Sequence, residues 1–416
     1  MEQADHVGVK RQHGCLVPYC FQLVRVMSLE FIEKELVALK EAGLYRQLSL
    51  IDSPQEPRVK INGRDIILLC SNNYLGLANH PKIKEAAISA IERYGFGSGA
   101  SRLVSGNMEL HEMLEQRLAR FKGAEAALVF NSGYHANIGI ISALVGRGDV
   151  IFSDKLNHAS ITDGCILSRA RLIRYPHKDI NALEILLKKH ASRITHHISL
   201  IITDGVFSMD GDIAPLRELS ELAERYGCML MVDDAHATGV LGSNGKGTIE
   251  HFGIDNPNII QMGTLGKALG CFGAYVAGSR KLIDYLINKA RSFIYTTSLP
   301  PSVCAASIAA IDILEKEPQI RRNLWDRIEY FRIGLKNAGI DAMANETQII
   351  PLFIGDANNA VKISNDLFEK GIFVQAIRPP TVPEGKSRLR ITLMATHSWD
   401  DLKYALDEVK HVLEAK

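Results

Sequence analysis

An acid and a lysine close two apolar runs, 34 positions apart at 233 and 267. The first run, Cys228-Met-Leu-Met-Val232, leads into Asp233-Asp234-Ala235-His236; the second, Asn258-Ile-Ile-Gln-Met262, leads into Gly263-Thr264-Leu265-Gly266-Lys267. Short apolar runs that stop at polar residues and glycine read as buried parallel strands. In open α/β sheets, ligands bind just beyond the carboxyl ends of such strands. An acid and a lysine delivered to that edge suit pyridoxal phosphate (PLP). The lysine holds the aldehyde as a Schiff base, and the acid keeps the pyridine nitrogen protonated so that the ring accepts electrons. A lysine beside a glycine is more often a solvated surface residue, so the pair draws its meaning from its company.

Five local features fit the same cofactor, and four of them have a plainer reading. Val129-Phe-Asn-Ser-Gly133-Tyr134-His135 is a strand ending in a small-residue turn that opens a helix, where free N–H groups and the helix dipole would cradle a phosphate. An ordinary strand-to-helix turn looks the same. His158, after the next strand, could lie over a flat ring or be a satisfied surface histidine. Ser208, in Thr203-Asp-Gly-Val-Phe-Ser-Met-Asp-Gly, could bond the ring or simply shape a turn. His236, three after Asp233, could reach the phenolic oxygen, while Asp233 itself would serve as a helix N-cap. Thr264, three before Lys267, could donate to the phosphate, and Thr297 could add another donor. Near the C-terminus, Arg378 in the rigid Arg378-Pro-Pro-Thr381-Val-Pro, and Arg390 beyond it, offer planar forks for an amino-acid carboxylate. Gly239 to Thr248 imitates a phosphate-binding loop, but Val240 stands where its first glycine belongs. No His or Cys cluster has zinc spacing, so no metal is expected.

The elements that must position these residues alternate. Strand candidates fall at Ala126–Phe130, Val150–Phe152, Leu172–Tyr175, Ser199–Thr203, Met229–Val232, Ile259–Met262 and Ala274–Ala277, with helical runs between. That pattern predicts an α/β protein with a mostly parallel seven-stranded sheet covered by helices on both faces. Upstream, a helix is expected from Ser28 to about Arg46, a hairpin turning at Asn62-Gly63, and helices over 81–94 and 109–122 flanking a Gly-rich loop. The expected organisation is a leader extension over 1–26, a helix-and-hairpin segment over 27–70, a large domain over 71–304 and a smaller C-terminal α+β domain over 305–416.

With 46% hydrophobic and 23% charged residues among 416, the chain has room for a large core and a second domain. Lys plus Arg (48) and Asp plus Glu (47) cancel, and no basic block interleaves with aromatics, which argues against nucleic-acid or membrane-surface binding. The seven cysteines are scattered and odd in number, as in reduced, cytoplasmic proteins. No apolar stretch approaches the ~18–20 residues of a membrane span. Residues 1–26 superficially resemble a signal peptide, but Pro18, Gln22 and Arg25 interrupt the apolar part, so an extension upstream of Met27 is expected.

Taken in order, Ser71-Asn-Asn-Tyr-Leu-Gly-Leu, Gly97-Ser-Gly-Ala-Ser-Arg-Leu-Val-Ser-Gly, Gly205-Val-Phe-Ser-Met-Asp-Gly-Asp, Asp233-Asp-Ala-His-Ala-Thr-Gly and Thr264-Leu-Gly-Lys-Ala-Leu-Gly resemble the α-oxoamine synthases, PLP enzymes of the aspartate-aminotransferase fold (fold type I). The likeness runs from about Glu30 to the C-terminus. Ala237 stands where that family usually has glycine. The resemblance implies that Lys267 is the Schiff-base lysine and proton-transfer base, that Asp233 pairs with the pyridine nitrogen and that His158 stacks on the ring. It implies Ser208 and His236 near the phenolic oxygen, and Gly133, Tyr134 and Thr264 at the phosphate, with Thr297 reaching in from the other subunit of a homodimer. Arg378 and Thr381 would contact the amino acid, Arg46 and Asn72 the acyl substrate. Gly99–Gly106 and Arg378–Pro383 resemble the members that condense L-alanine with a pimeloyl thioester, carried on CoA or on acyl carrier protein, in biotin synthesis. Glycine-using acetyltransferases share the cofactor residues and form the alternative.

Overall fold

The structure, a computed structural model, describes residues 29–191, 198–340, 342 and 346–414. The expected leader over 1–26 lies outside them. The chain divides into two compact units between Gln47 and Leu48. The described part of the first is the helix Glu30–Glu41 and its exit. It is shorter than the predicted run to Arg46. Gly43 takes a left-handed φ of 66°, and its N–H and that of Leu44 fold back to the Lys40 and Leu39 carbonyls. Such a glycine satisfies the last carbonyls and ends a helix.

The second unit is built on a seven-stranded sheet in the spatial order Ala126–Phe130, Ala274–Gly278, Ile260–Thr264, Met229–Asp233, Ser199–Asp204, Val150–Asp154, Arg171–Tyr175. Only Ala274–Gly278 runs antiparallel to its neighbours. All seven predicted strands are present. Several run one or two residues further than the apolar pattern, so that Asp154, Asp204, Asp233 and Thr264 are the last residues of their strands. The hydrogen-bond ladder continues under a polar side chain, while hydrophobicity stops before it.

Successive side chains alternate between two cores. Leu200, Ile202 and Met231 pack on one face of the sheet; Ile201, Leu230 and Val232 pack on the other. Both faces are therefore dry, each fully buried Leu, Ile or Val contributing about 1.5–3 kcal/mol. Helices between strands supply the covers and bring every parallel strand's carboxyl end to one edge.

Two small sheets flank this layer. The hairpin Arg58–Ile61 and Arg64–Leu68 turns at Asn62 (φ 52°) and Gly63 (φ 75°), as its Asn-Gly pair predicts, and is joined by Ile372–Phe373. The C-terminal part forms an antiparallel sheet of Ile349–Gly355, Ser387–Thr392 and Gln375–Ile377 with the helices Ala357–Glu369 and Trp399–Glu414. On Ser387–Thr392, Arg388 and Arg390 are two positions apart and point the same way. Arg388 pairs with Asp210 and donates to the Met209 carbonyl, while Arg390 Nε donates to the Ser208 carbonyl at 2.6 Å. The strand thus lies along the 205–213 loop of the large sheet.

Candidate active site

A cavity of about 290 Å³ opens at the carboxyl edge of the sheet. It is lined by Gly133 and Tyr134 after Ala126–Phe130, His158 after Val150–Asp154, Ser208 and Met209 after Ser199–Asp204, Asp233 at the end of Met229–Asp233 with Ala235 and His236 beyond it, and Thr264 at the end of Ile260–Thr264 with Lys267 beyond it. Asn72 and Arg390 close it from the flanking segments.

Of the adjacent acids, Asp233 alone belongs to this cavity. Its Oδ2 accepts from Asn137 Nδ2 at 2.8 Å and its Oδ1 from the Ala235 N–H at 3.0 Å. Asp234 turns away and is fully buried. Its carboxylate takes Lys122 Nζ at 3.1 Å, Thr248 Oγ1 at 2.5 Å and the Thr248 N–H. One acid anchors the loop and leaves the other's charge for the site.

Lys267 Nζ donates to Thr264 Oγ1 at 3.2 Å. Burial lowers the lysine's pKa, partly offset by Asp233 and Asp204 and reinforced by Arg390. A lysine held this way yields its proton more readily than a solvated one, as a nucleophilic amine requires. Asp204 is buried against Asp233; burial and that neighbouring charge push its pKa well up. Its Oδ2 accepts the His158 backbone N–H at 3.0 Å, fixing the turn that carries His158.

His158 is held neutral chiefly by burial, with Lys267 adding to the effect against Asp233. Its Nδ1 accepts the Ser160 N–H at 3.3 Å, capping the helix Ala159–Ser168. His236 is driven well below the ordinary histidine range by burial, then by Lys267, Arg390 and His158.

At the helix Gly133–Leu144, the N-cap Ser132 hydroxyl accepts from the His135 N–H. The preceding N–H groups, at Gly133 and Tyr134, have no carbonyl partner within their own helix. A Cβ on Gly133 would sit 2.8 Å from Thr264 Cγ2 and 3.3 Å from Met262 Cε, so a larger residue here would have to push the Thr264 side chain aside. Paired N–H groups at a helix start, a neighbouring hydroxyl, a buried carboxylate and a desolvated amine together fit a phosphorylated aldehyde with a basic ring nitrogen.

Not every expected residue is here. Thr297 is exposed and outside the cavity lining; its carbonyl accepts from Asn131 Nδ2 at 2.8 Å. Arg378 and Thr381 form a turn, Thr381 N–H to the Arg378 carbonyl at 3.1 Å, and are also outside the lining. Arg46 belongs to the N-terminal unit. Conversely, Asn137, Ser160 and Asp204 line the cavity without having been singled out. Asn137 had a readable signal, since it follows Gly133 by one helical turn and shares its face.

The chain belongs to the aminotransferase class I and II family, which matches residues 64–409. It is 58% identical over 381 residues to the 8-amino-7-oxononanoate synthase of Geotalea daltonii, spanning 91% of this chain and 96% of that one. It is 60% identical over 379 residues to that of Geobacter sulfurreducens, spanning 90% and 96%. Among solved structures, serine palmitoyltransferase with PLP superposes with a TM-score of 0.87 at 32% identity, over 93% of this chain and 98% of that one. The 8-amino-7-oxononanoate synthase of Francisella tularensis gives 0.72 at 33%, over 84% and 98%.

Proposed function

We propose that the protein condenses L-alanine with a pimeloyl thioester, releasing carbon dioxide, the free thiol and 8-amino-7-oxononanoate, as a PLP-dependent acyltransferase of biotin biosynthesis. The observation that carries this reading is the meeting of Lys267, Asp233 and Arg390 in one cavity of a chain so similar to 8-amino-7-oxononanoate synthases. The likeness to serine palmitoyltransferase is one of shape at 32% identity; the higher identities favour alanine and a pimeloyl chain.

PLP, when bound, supplies an aldehyde that captures an amine and a ring that stores the electron pair left on the amino acid's α-carbon. Asp233, fixed by Asn137 and the Ala235 N–H, is the acceptor that keeps a ring nitrogen protonated. Lys267, its charge weakened by burial, is the amine that holds the aldehyde and then moves the proton at the α-carbon. The N–H groups of Gly133 and Tyr134, with Thr264, hold the phosphate. His158 would stack on the ring, and Ser208 and His236 would hydrogen-bond near its phenolic oxygen, all three lining the cavity. Arg390, rather than Arg378, receives the amino-acid carboxylate, because it lines the cavity. Arg378 and Thr381 would contact the amino-acid substrate or product, and Arg46 and Asn72 the acyl substrate.

The working unit is a homodimer in which Thr297 completes the phosphate site of the other subunit. Two observations support this: Thr297 is exposed, and Leu103, Val104 and Tyr295 are exposed on segments joined by the Ser298 N–H to Ala100 carbonyl bond. The five cysteines among the described residues are free, in keeping with a cytoplasmic site of action, and no described helix is long and apolar enough to cross a membrane.

The test is a substrate panel. Holoenzyme is given alanine, glycine or serine with pimeloyl, acetyl or palmitoyl thioesters, each pimeloyl chain on CoA and on acyl carrier protein. Carbon dioxide and amino-ketone release with alanine and a pimeloyl donor is the expected result. Preference for glycine with acetyl-CoA would transfer the protein to the acetyltransferase branch.

A further inference from the structure

Behind the cavity wall, His177 joins two turns that carry proposed site residues. It follows the edge strand Arg171–Tyr175 in Pro176-His177-Lys178, and its partners Asp154, Asp212 and Phe207 are not among the cavity's lining residues. Its Nδ1 lies 3.0 Å from Asp154 Oδ1 and its Nε2 lies 2.9 Å from Asp212 Oδ2. Asp154 ends the strand whose following turn carries His158. Asp212 follows the turn Ser208–Asp210 and closes that loop, the Phe207 N–H donating to the Asp212 carbonyl at 3.0 Å.

The chemistry of the bridge fixes its charge. An ionised carboxylate can only accept, and a neutral imidazole has one N–H. A ring bonded to carboxylates through both nitrogens must therefore carry both protons. The other groups facing it agree. Lys178 Nζ is 3.0 Å from the same Asp212 Oδ2, and the Lys178 N–H donates to Asp154 Oδ2 at 2.8 Å. The Leu156 N–H donates to Asp154 Oδ1 at 2.8 Å, and the buried Tyr175 phenol lies close enough to Asp154 to feel its charge. Phe207 meets the ring edge-on at 4.4 Å between centroids. Asp212 Oδ1 is buried without a partner, so that carboxylate depends on His177 and Lys178 for its compensation. Burial opposes the charged ring, but its bonds to Asp154 and Asp212 lift its pKa to about 9.

We infer that His177 is a positioning residue, a cationic clamp that sets the spacing of the turns bearing His158 and Ser208 and so the width of the ring slot. This rests on the reading of the cavity as the PLP site. Neither site residue touches His177; the clamp acts on the ends of the backbone segments that carry them. Misplacement by a fraction of an ångström at such walls slows a reaction whose groups must be aligned, by up to roughly 100-fold for 1 Å.

The experiment uses holoenzyme labelled with ¹⁵N at histidine, the His177 ring signals being assigned by their disappearance in His177→Gln. Both nitrogens should be protonated at neutral pH and deprotonate near 9. kcat/KM for the amino acid should fall over the same interval. In Asp212→Asn the titration should move down and the fall in kcat/KM should move with it, while a purely structural contact would leave the profile in place. Should His177→Gln fail to fold, wild type and Asp212→Asn suffice, with assignment by elimination among the other histidine variants. A ring that titrates near the ordinary histidine value, or an alkaline limb that stays put in Asp212→Asn, overturns the inference. Absence of any condensation by wild-type holoenzyme would instead overturn the functional reading, leaving the ring's titration as a separate measurement.

Discussion

Tyr74 Oη lies 2.7 Å from His236 Nδ1, and Arg390 Nη2 donates to the same oxygen at 3.3 Å. The same hydroxyl donates to Asn72 Oδ1 at 3.0 Å, and both Arg390 Nη atoms reach that oxygen at 3.3–3.4 Å. Burial and the neighbouring cations keep His236 neutral, so with the phenol's proton on Asn72 the His236 Nδ1 contact is completed by an N–H on that nitrogen. One buried hydroxyl thus ties His236, Asn72 and Arg390 together. Tyr74→Phe removes all three contacts. It should cost about 1.5–3 kcal/mol, roughly 10- to 100-fold in kcat/KM, as for hydrogen bonds to charged partners. KM for alanine should rise, because Arg390 is released; steady-state kinetics at varied alanine measures it, and an unchanged KM would separate Tyr74 from the carboxylate.

Lys267→Ala should abolish turnover and the visible absorbance that PLP gains when joined to the protein. Borohydride reduction of the wild-type holoenzyme, followed by peptide mapping, should mark position 267. Survival of turnover in the alanine variant would remove Lys267 from the chemistry.

Asp233→Asn keeps the shape but removes the charge that the ring nitrogen needs, and its single amide oxygen can accept from only one of Asn137 Nδ2 and the Ala235 N–H. PLP should still bind, while exchange of alanine's α-proton into deuterated water slows by roughly 10²- to 10³-fold, the scale for losing one preorganised electrostatic partner. Exchange at the wild-type rate would assign the role elsewhere, Asp204 being the nearest buried carboxylate with its own claim on the cavity.

The sheet and its edge were legible because seven apolar runs each stop at a turn, and Lys267 and Asp233 could be found from where two of them stop. Which of Asp233 and Asp234 faces the ligand was not separately decided by pattern. That depends on Lys122 and Thr248, brought in from a helix 112 positions upstream and from the start of the short helix Thr248–Phe252, 14 downstream. Arg378 attracted attention for its rigid neighbours, yet Arg390 lines the cavity, because its strand docks along the 205–213 loop through alternate side chains. Tyr74 was quoted only as part of a motif; its partner lies 162 positions away, and local spacing carries no record of such a contact.

Lys122 and Asp234 form a fully buried ion pair, their side chains 0% and 1% exposed. Although burial works against the lysine's charge, Tyr275 and Asp234 outweigh it and raise its pKa. Lys122→Met would strand the Asp234 carboxylate under the site. A loss of about 3–5 kcal/mol in urea unfolding is expected, the usual result of removing one member of a buried pair. Lys122→Met with Asp234→Asn should recover part of it, since no charge is then left unpaired. If the double variant is as unstable as the single one, packing rather than charge governs this position.

Two histidines give stability opposite slopes with pH. His397 accepts the Met394 N–H at Nδ1 and is pushed to about 4, mainly by burial. The unfolded chain, with an ordinary value near 6.5, binds this proton first, so the stabilisation is complete above 6.5 and is lost as pH falls towards 4. The drop of about 2.5 units corresponds to roughly 3 kcal/mol at this buried site. His177 runs the other way: its folded value near 9 means its contribution is full below 6.5 and disappears as pH rises through 9. Wild type should therefore lose stability on both sides of about 6.5 through these two groups. In urea titrations from pH 4 to 9.5, His397→Gln should flatten only the acid side and His177→Gln only the alkaline side. An acid limb unchanged in His397→Gln would mean that His111, His158 and His236, also held neutral by burial, account for it.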